Sequence, residues 1–470
     1  MHQPDYRNYQ DDSYMLPWTY LHAIKDYADM AWHLEQHPGL RCVVNFAPVL
    51  LDQLEDYVLQ VDTGSIRDPL LSLLAEPDEA LVSSESAQRV LQFCFRNNHA
   101  HMLEPFSAYR RLYDIFRMVE SDPDALAYLG PCFYADLITW YHLSWTGESL
   151  RRTIPLIARL MGKGAGFTFT DRNNLLECIK DVLRGLIGRY RKLAQNGQIE
   201  LSANPQQHPI LPLLIDFKAA HENAPDMLLP QSEGYPGGSD RAEWHVSEAL
   251  EQHARRFGEK PKGLWPAEGA VSMDTLHFFE KKGIVWTASS EAVLAASIIK
   301  AGGAVDHKEA WLYKPYRFST PEKKIACFFR DERLSDLIGF EYAQWLARDA
   351  VHHFVHELEQ IADRVDDGAV VSVILDGENA WESYPYNGYY FLEQLYDALE
   401  SHERISLSVF SECLEGAAEL DHLVAGSWVY GTFSTWMGSK EKNLAWDILC
   451  EAKATVDEVL ALEHLGAEQL

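Results

Sequence analysis

The amino-acid sequence predicts an α/β fold built from parallel strand–helix units. Short apolar runs recur along the chain, and stretches with helical periodicity separate most of them. The runs are nearly continuously apolar, as strands covered on both faces are, and polar residues follow them. In a β/α barrel such polar residues line the carboxyl-end face, where active sites are built.

The elements are predicted in chain order as follows. The run 40–51 (LRCVVNFAPVLL) predicts the first strand, and the pattern from about 52 to 195 is mostly amphipathic helix, which ends at Asn196-Gly197. We interpret this tract as a helical insertion. Further β-rich segments are predicted at 198–205, 263–268, 284–289, 324–331, 369–378 and 404–412.

Two regions without strand character complete the prediction. The loop 231–240 (QSEGYPGGSD) is expected to be mobile and to cover a cleft. From about Gly416 onward the chain is expected to be mainly helical, apart from the Gly- and aromatic-rich stretch 426–438. The predicted division is therefore a catalytic barrel at 1–415, which includes the insertion, and a mostly helical region at 416–470 that contributes to the active site.

Charge and composition exclude several classes of partner. With 70 acidic and 41 basic side chains the formal charge is −29, which repels phosphate backbones and anionic lipid headgroups. Nucleic acid and membranes are therefore not expected as partners. The seven cysteines are scattered without a C-x-x-C pair, and the chain does not open with a basic stretch followed by an apolar one. Both observations predict a cytoplasmic protein; the sequence does not indicate an oligomeric state.

Strand-end carboxylates are the first candidates for chemistry. Glu268 follows the predicted strand ending in GLWPA, and Asp376 and Glu378 follow VVSVIL. Cleavage of a glycosidic bond commonly needs two carboxyl groups on either side of the bond, in different protonation states. A lone acid at a strand end more often caps a helix or pairs with an arginine. Spacing alone leaves both interpretations open.

Other polar residues have weaker signals. Arg330 and Asp331 follow the strand 324–331 and could bind sugar hydroxyls, although a structural ion pair is an equal alternative. His208 follows the strand 198–205 and could donate a hydrogen bond to a sugar, but a loop histidine is often simply exposed. His352 and His356 have zinc-ligand spacing on a predicted helix, yet the pattern is more typical of a solvated helix face.

Five segments of the chain carry recognisable motifs: HQPDY (2–6), GQIELSANPQQHPI (197–210), GLWPAEGAVS (263–272), ILDGENAWESYPYNG (374–388) and TWMGSKEKNLAW (435–446). Taken together and in this order, they resemble the conserved regions of glycoside hydrolase family 57. The fourth and fifth are most similar to the α-amylase and amylopullulanase members, whereas the His-x-His opening usual in the branching enzymes is not seen.

The resemblance implies an incomplete seven-stranded (β/α) barrel and a double-displacement, retaining cleavage of glucosidic bonds in starch, glycogen or malto-oligosaccharides. The expected bonds are α-1,4, with α-1,6 as an open alternative. Glu268 would be the nucleophile and Asp376 the general acid/base. No cofactor or catalytic metal is expected. Residues implied to contact sugar or to support the catalytic pair are His2, Glu200, Trp265, Glu378, Trp381 and Trp436.

One departure and three alternatives accompany this hypothesis. The family's first motif lies at the end of a strand, so an apolar strand is expected before His2; either the gene start is placed too late, or an upstream segment was removed, or the barrel lacks that strand. A 4-α-glucanotransferase would share the covalent intermediate. A metal-dependent polysaccharide deacetylase would need a His/His/Asp cluster, which is not visible at the predicted strand ends. A non-catalytic glycan-binding protein would keep the fold without turnover.

Overall fold

A computed structural model describes residues 1–319 and 324–461. The sheet has seven strands, in the spatial order β1-β2-β3-β4-β6-β5-β7. β1 to β4 and β6 pair in parallel, which confirms the predicted α/β fold with parallel strand–helix units. The strands are β1 (Cys42–Phe46), β2 (Ile199–Ala203), β3 (Gly263–Leu264), β4 (Trp286–Ser290), β5 (Tyr316–Ser319), β6 (Lys324–Arg330) and β7 (Ala418–Leu420).

Two strands were not predicted from the sequence. β5 pairs antiparallel with β6 and parallel with β7. β7 has only three residues, Ala418–Leu420, of which the central one is exposed. So short a segment carries no apolar run, and it lies where the sequence predicts mainly helix. Its pairing with β5 therefore comes from tertiary contact and not from local pattern.

Two predicted β-rich segments, 369–378 and 404–412, do not form strands. The first runs along β6 and forms one isolated bridge, between Ser372 and Arg330. Its backbone is held on that side, because Val370 N–H donates to Tyr313 and Asp331 N–H donates to Ser372. The second ends in a short helical turn, Phe410–Glu412. Both segments line the same apolar cavity, so their apolar side chains belong to the cavity wall and do not mark a strand ladder.

That cavity separates β1 from the segment 370–375 and has a volume of about 540 Å³. Apolar side chains of the helices Ala347–Ala362 and Tyr389–Glu400 line its outer wall. Met1 lies at its upper end and pairs with the end of β1: the Met1 amine donates to Asn45 O at 2.8 Å, and Ala47 N–H donates to Met1 O at 3.0 Å. Met1 thus joins β1 to Gly377, against which its side chain packs.

The chain between β1 and β2 is helical, beginning at Pro48 and ending at Gln195, and the predicted stop is occupied by Gly197 at φ 73°. The helices before β1 are Trp18–His22, Ala23–Tyr27 and Ala28–Gln36. Those between β1 and β2 are Pro48–Thr63, Leu71–Ala75, Ala80–Val82, Ser84–Phe93, His99–Leu103, Ser107–Val119, Pro123–Leu126, Pro131–Trp145, Glu148–Thr153, Pro155–Lys163 and Phe169–Gln195.

In the described residues, helices precede β3, β4, β5 and β7, and the last helix is Lys440–Ala461. The loop 231–240 lies against that helix, since Ser232 N–H donates to Asp447 at 2.8 Å. The others are Leu211–Ile215, Phe217–His221, Gly238–Phe257, Ala267–Gly269, Met273–Lys281, Glu291–Lys300, Lys308–Trp311, Glu332–Asp336, Leu337–Glu341, Tyr342–Gln344, Trp381–Ser383 and Pro385–Gly388, together with the three named above.

Within the described ranges, no helix has both the length and the apolar character that a bilayer crossing requires. All seven cysteines are free thiols. The end of the predicted C-terminal region, 462–470, lies outside the described residues.

Candidate active site

Glu268 lies just beyond the carboxyl end of β3, in the turn Ala267–Gly269. Its backbone has φ 56° and ψ 28°, a left-handed conformation that is unfavourable for a residue with a Cβ. Trp428 holds this turn in place: its N–H donates to Glu268 O at 3.0 Å, and its indole Nε1–H donates to Glu268 Oε2 at 2.9 Å. Glu268 Oε1 is therefore the oxygen that remains for other partners.

Asp376 follows the segment 370–375 and lines the same cavity as Glu268 and His2. The part of the cavity lined by these three residues is called the cavity mouth below. Asn379 Nδ2 donates to Asp376 Oδ2 at 2.7 Å. Both candidate carboxylates are partly accessible, with side-chain exposures of 24% for Glu268 and 27% for Asp376. A ligand entering the mouth can thus reach one oxygen of each.

His2 lies between these two carboxylates. Its Nε2 is 4.0 Å from Glu268 Oε1, and its Nδ1 is 3.7 Å from Asp376 Oδ1. Because both oxygens flank one imidazole ring, they are no more than about 10 Å apart, which includes the separations that glycosidases use. The structure therefore brings together the two carboxylates that the sequence singled out, although 108 residues separate them in the chain.

Glu378 contacts both the backbone and the ring of His2. Its side chain is 1% exposed, its Oε1 accepts from His2 N–H at 2.8 Å, and the same oxygen lies 3.4 Å from His2 Nδ1. Burial, followed by the charge of Glu378, raises the pKa of Tyr6 to about 12. Glu378 thus positions the backbone and the ring of His2 through a single oxygen.

His208 stacks on His2, with ring centroids 4.9 Å apart and an interplanar angle of 12°. Burial, and then the nearby charges of His2 and the chain N-terminus, lower the pKa of His208 to about 3. Its ring is therefore neutral at ordinary pH. His208 and the preceding Gln207 both have a left-handed backbone, at φ 55° and φ 62°, so backbone strain is concentrated at this site.

The family model for glycosyl hydrolase family 57 matches residues 1–423. The chain belongs to glycosyl hydrolase family 57. A search of curated protein sequences finds no match.

Solved structures support the family 57 fold. The chain is similar to a family 57 branching enzyme of Thermococcus kodakaraensis, solved in complex with glucose (TM-score 0.54, 15% identity, covering 95% of this chain and 76% of that one). It is also similar to the family 57-type branching enzyme of Pyrococcus horikoshii (TM-score 0.54, 16% identity, covering 95% of this chain and 74% of that one). The α-amylase AmyC of Thermotoga maritima is similar as well (TM-score 0.52, 12% identity, covering 91% of this chain and 76% of that one). At these identities the likeness shows the fold, which confirms the expected incomplete seven-stranded (β/α) barrel.

In this family 57 chain, two indole rings form an aromatic wall beside Glu268. Trp265 and Trp428 meet edge to face, with centroids 5.1 Å apart. Gly269 lets them approach, because a Cβ at this position would lie 3.1 Å from the Trp265 ring. The sequence indicated Trp265 but not Trp428. Trp436, the tryptophan implied by the resemblance, packs in a separate cluster, where its carbonyl accepts from Trp446 Nε1 at 3.0 Å.

Arg330 and Asp331 support the site from the end of β6. Arg330 Nε donates to Ile374 O at 2.7 Å, and its guanidinium lies over the Trp428 ring at 5.5 Å. Arg330 thus connects the segment that carries Asp376 to the ring that binds Glu268. Asp331 is 3% exposed and accepts from Leu334 N–H at 2.8 Å and Tyr313 OH at 2.8 Å. It caps the helix Glu332–Asp336, the alternative role that the sequence left open for strand-end acids.

Glu200 and Trp381 have internal partners. Glu200 accepts from Trp286 Nε1 at 2.7 Å and from Ser411 N–H at 3.0 Å. Trp381 is 4% exposed and donates through Nε1 to Gly377 O at 3.0 Å, which fixes the turn after Asp376. These contacts correspond to the supporting role among the two roles implied by the resemblance.

Histidine positions also bear on metal chemistry. One ligand atom from each of His2, His208 and Glu268 lies within 4.8 Å of the other two. This His/His/Glu group joins residues far apart in the chain, so the sequence gave no sign of it. His352 and His356, by contrast, are exposed on the helix Ala347–Ala362, as a solvated helix face predicts.

Proposed function

We propose that this family 57 chain cleaves α-glucosidic bonds with retention of configuration, with Glu268 as nucleophile and Asp376 as general acid/base. The observation that carries the proposal is the placement of both carboxylates against opposite nitrogens of His2, at 4.0 and 3.7 Å. Two carboxyl groups that face one gap are what cleavage through an oxocarbenium-like transition state requires.

The hydrogen bonds of the pair are consistent with the two roles. Trp428 Nε1–H donates to Glu268 Oε2, which leaves Oε1 on the side of His2 for attack on the substrate. Asn379 binds Asp376 Oδ2 and leaves Oδ1 on the side of His2. In the proposed reaction Asp376 protonates the leaving oxygen while Glu268 attacks the anomeric carbon, and Asp376 then deprotonates the water that releases the sugar.

The surroundings support a sugar as the substrate. The Trp265–Trp428 wall offers an apolar surface next to Glu268, and aromatic faces pack well against the apolar face of a pyranose. His208 has a neutral ring and can donate to a hydroxyl group. The choice of α-glucans follows the related structures, of which one is a branching enzyme in complex with glucose and another an α-amylase.

The test begins with Glu268→Gln and Asp376→Asn, assayed on soluble starch and on maltoheptaose. Each change removes one ionisable oxygen without altering size, so we expect losses of at least about a thousandfold in kcat/KM with unchanged unfolding temperatures. Glu177→Gln and Asp181→Asn, on an exposed face of the helix Phe169–Gln195, are matched controls that should retain full activity. Near-normal turnover in either site variant would falsify the assignment.

Azide separates the two roles. With an aryl α-maltoside, azide should restore turnover in Glu268→Ala by attacking from the vacated side, and the product should be the inverted glycosyl azide. In Asp376→Ala it should intercept the glycosyl-enzyme and give the retained product. Exchanged product configurations would reverse the assignment of the two residues.

The acceptor is decided by the products. We expect maltoheptaose to yield only shorter oligosaccharides, because water is the proposed acceptor. Longer or branched products would mean that a sugar hydroxyl intercepts the intermediate, as in a 4-α-glucanotransferase or a branching enzyme. Activity that survives exhaustive chelation would argue against a metal-dependent deacetylase, and release of acetate from an acetylated glycan would favour one.

A further inference from the structure

Three metal-ligating groups of different chain segments converge at the mouth of the cavity. They are His2 at the chain start, His208 after β2 and Glu268 after β3, with one ligand atom of each within 4.8 Å of the others. His2 and His208 stack, so their rings are already held next to each other. The proposed cleavage gives His208 no part in the nucleophilic attack or in the proton transfers, although its ring stacks on that of His2.

Outer contacts orient two of these groups. His2 Nδ1 faces the carboxylates of Glu378 and Asp376, at 3.4 and 3.7 Å, so the proton of a neutral ring is favoured on Nδ1. Nε2 then carries the lone pair, and it is the nitrogen that faces Glu268 Oε1 at 4.0 Å. A carboxylate behind a ligating histidine is the usual outer arrangement of protein zinc sites.

The two carboxylate oxygens of Glu268 likewise have different surroundings. Its Oε2 accepts the indole hydrogen bond of Trp428, which leaves Oε1 on the side of the two rings. Two imidazole nitrogens and one carboxylate oxygen suit Zn²⁺, Co²⁺ or Cu²⁺, whereas Mg²⁺ and Ca²⁺ prefer sites made of oxygens. The donor set therefore selects a class of ion.

We propose that His2 Nε2, a ring nitrogen of His208 and Glu268 Oε1 form an inhibitory site for a divalent transition-metal ion of the zinc class. Tetrahedral ligands about 2.0–2.1 Å from zinc lie roughly 3.4 Å from one another, so the three groups must move closer by about 1 Å. Water fills the fourth position. The bound ion occupies the oxygen that would otherwise attack the substrate.

Binding and inhibition are separable. Metal binding depends on the three ligands and on the outer contacts that orient them, whereas inhibition rests on the proposed function, because it requires Glu268 to act as nucleophile. A spectroscopic titration therefore tests the site without any assay of activity, and it fails or succeeds independently of the Glu268→Gln result.

The titration uses the full chain, freed of metal, with Co²⁺ as the probe and Zn²⁺ as competitor. His352→Gln and His356→Gln are included in every sample, because these exposed histidines form a separate i, i+4 pair. We expect one equivalent of Co²⁺ to give the strong visible absorption of a four-coordinate site, and Zn²⁺ to abolish it. Absence of this band overturns the proposal.

Variants identify the ligands. His208→Gln and Glu268→Gln should each weaken binding at least tenfold, and Glu378→Gln, which changes only the outer contact, should weaken it about 10- to 100-fold. Thermal unfolding of each variant shows whether the fold persists. Unchanged affinity in a folded His208→Gln protein overturns the proposal.

Activity then completes the test. Zn²⁺ should abolish starch cleavage in proportion to occupancy, and a chelator should restore it fully. An enzyme that is active only with metal, or that retains full activity with the site saturated, overturns the inhibitory role.

Discussion

Two clusters in this chain each combine a histidine with carboxylate groups, but one is buried and saturated while the other is open to ligands. In the helices before β1, the carboxylate of Asp26 is fully buried. It lies 2.6 Å from His22 Nδ1 and 2.7 Å from Lys25 Nζ. At the cavity mouth His2 faces Glu268, Asp376 and Glu378 at 3.4 to 4.0 Å, and two of these carboxylates are about a quarter exposed. The first cluster is saturated by its own side chains, whereas the second has unused oxygens that face solvent.

The pKa of Asp26 shows what saturation does. Burial raises this pKa, but the charge of Lys25 and the hydrogen bond from His22 outweigh burial, and the net effect is a lowered pKa. A buried cluster of this kind is structural, because no oxygen is left for a ligand. Distance and exposure, more than residue type, separate a stabilising cluster from a reactive one.

The largest effect is expected from breaking the saturated cluster. Lys25→Met leaves Asp26 buried with one partner fewer, which should lower the free energy of unfolding by about 3 kcal/mol without altering kcat. Urea unfolding and starch assays measure the two quantities. The double variant Lys25→Met/Asp26→Leu should regain most of the loss, because paired apolar replacements remove the uncompensated charge. A double variant as unstable as the single one would contradict this explanation.

The corresponding change at the mouth should have the reverse profile. Glu378→Gln keeps an acceptor for His2 N–H but removes the charge beside Nδ1, so we expect kcat to fall about 10- to 100-fold with little change in the unfolding temperature. Glu378→Asp, which restores the charge on a shorter side chain, should recover part of the loss. Equal losses in the free energy of unfolding for Glu378→Gln and Lys25→Met would contradict the distinction between a structural and a functional cluster.

Acid should destabilise the helical region through a third histidine. His142 is buried with both ring nitrogens bound, by Tyr20 OH at 2.9 Å and Ile138 O at 2.8 Å, and burial lowers its pKa to about 4. Its folded pKa lies below the unfolded value of about 6.5, so its contribution to stability is complete above pH 6.5 and is lost as the pH falls. We expect a loss of about 2 kcal/mol between pH 7 and pH 5.

His142→Gln, which retains an acceptor for Tyr20, should flatten that pH dependence in urea unfolding. His352→Gln serves as the control, because its side chain lies on the exposed face of the helix Ala347–Ala362 and not in the buried helical region. An identical pH slope in His142→Gln and the parent protein would show that other groups carry the acid sensitivity.

The smallest expected change in kcat comes from replacing Trp428 or Trp436. Trp428→Phe keeps the aromatic wall but removes the hydrogen bond to Glu268 Oε2, so kcat should fall roughly tenfold. Trp436→Phe should change kcat less, since its ring packs in a separate cluster. The opposite order of effects would restore the role that the sequence resemblance implied for Trp436.

The sequence pointed to the two proposed catalytic carboxylates because each follows a predicted strand and lies in a segment that resembles a family motif. It could not locate Trp428, whose bond to Glu268 spans 160 positions and starts from a loop. Nor could it reveal the left-handed backbone of Glu268, because glutamate does not favour that conformation. The predicted strand at 369–378 failed for a related reason: its apolar side chains line the cavity, and its backbone pairs with β6 only at the isolated bridge between Ser372 and Arg330.

The pairing of Met1 with the end of β1 has a consequence for the site. Met1 N donates to Asn45 O, Ala47 N–H donates to Met1 O, and the next residue is the imidazole between the proposed catalytic groups. A displacement of the end of β1 therefore reaches His2 through two backbone hydrogen bonds. Substitutions near Asn45 and Ala47 should alter the cleft without touching a proposed catalytic group.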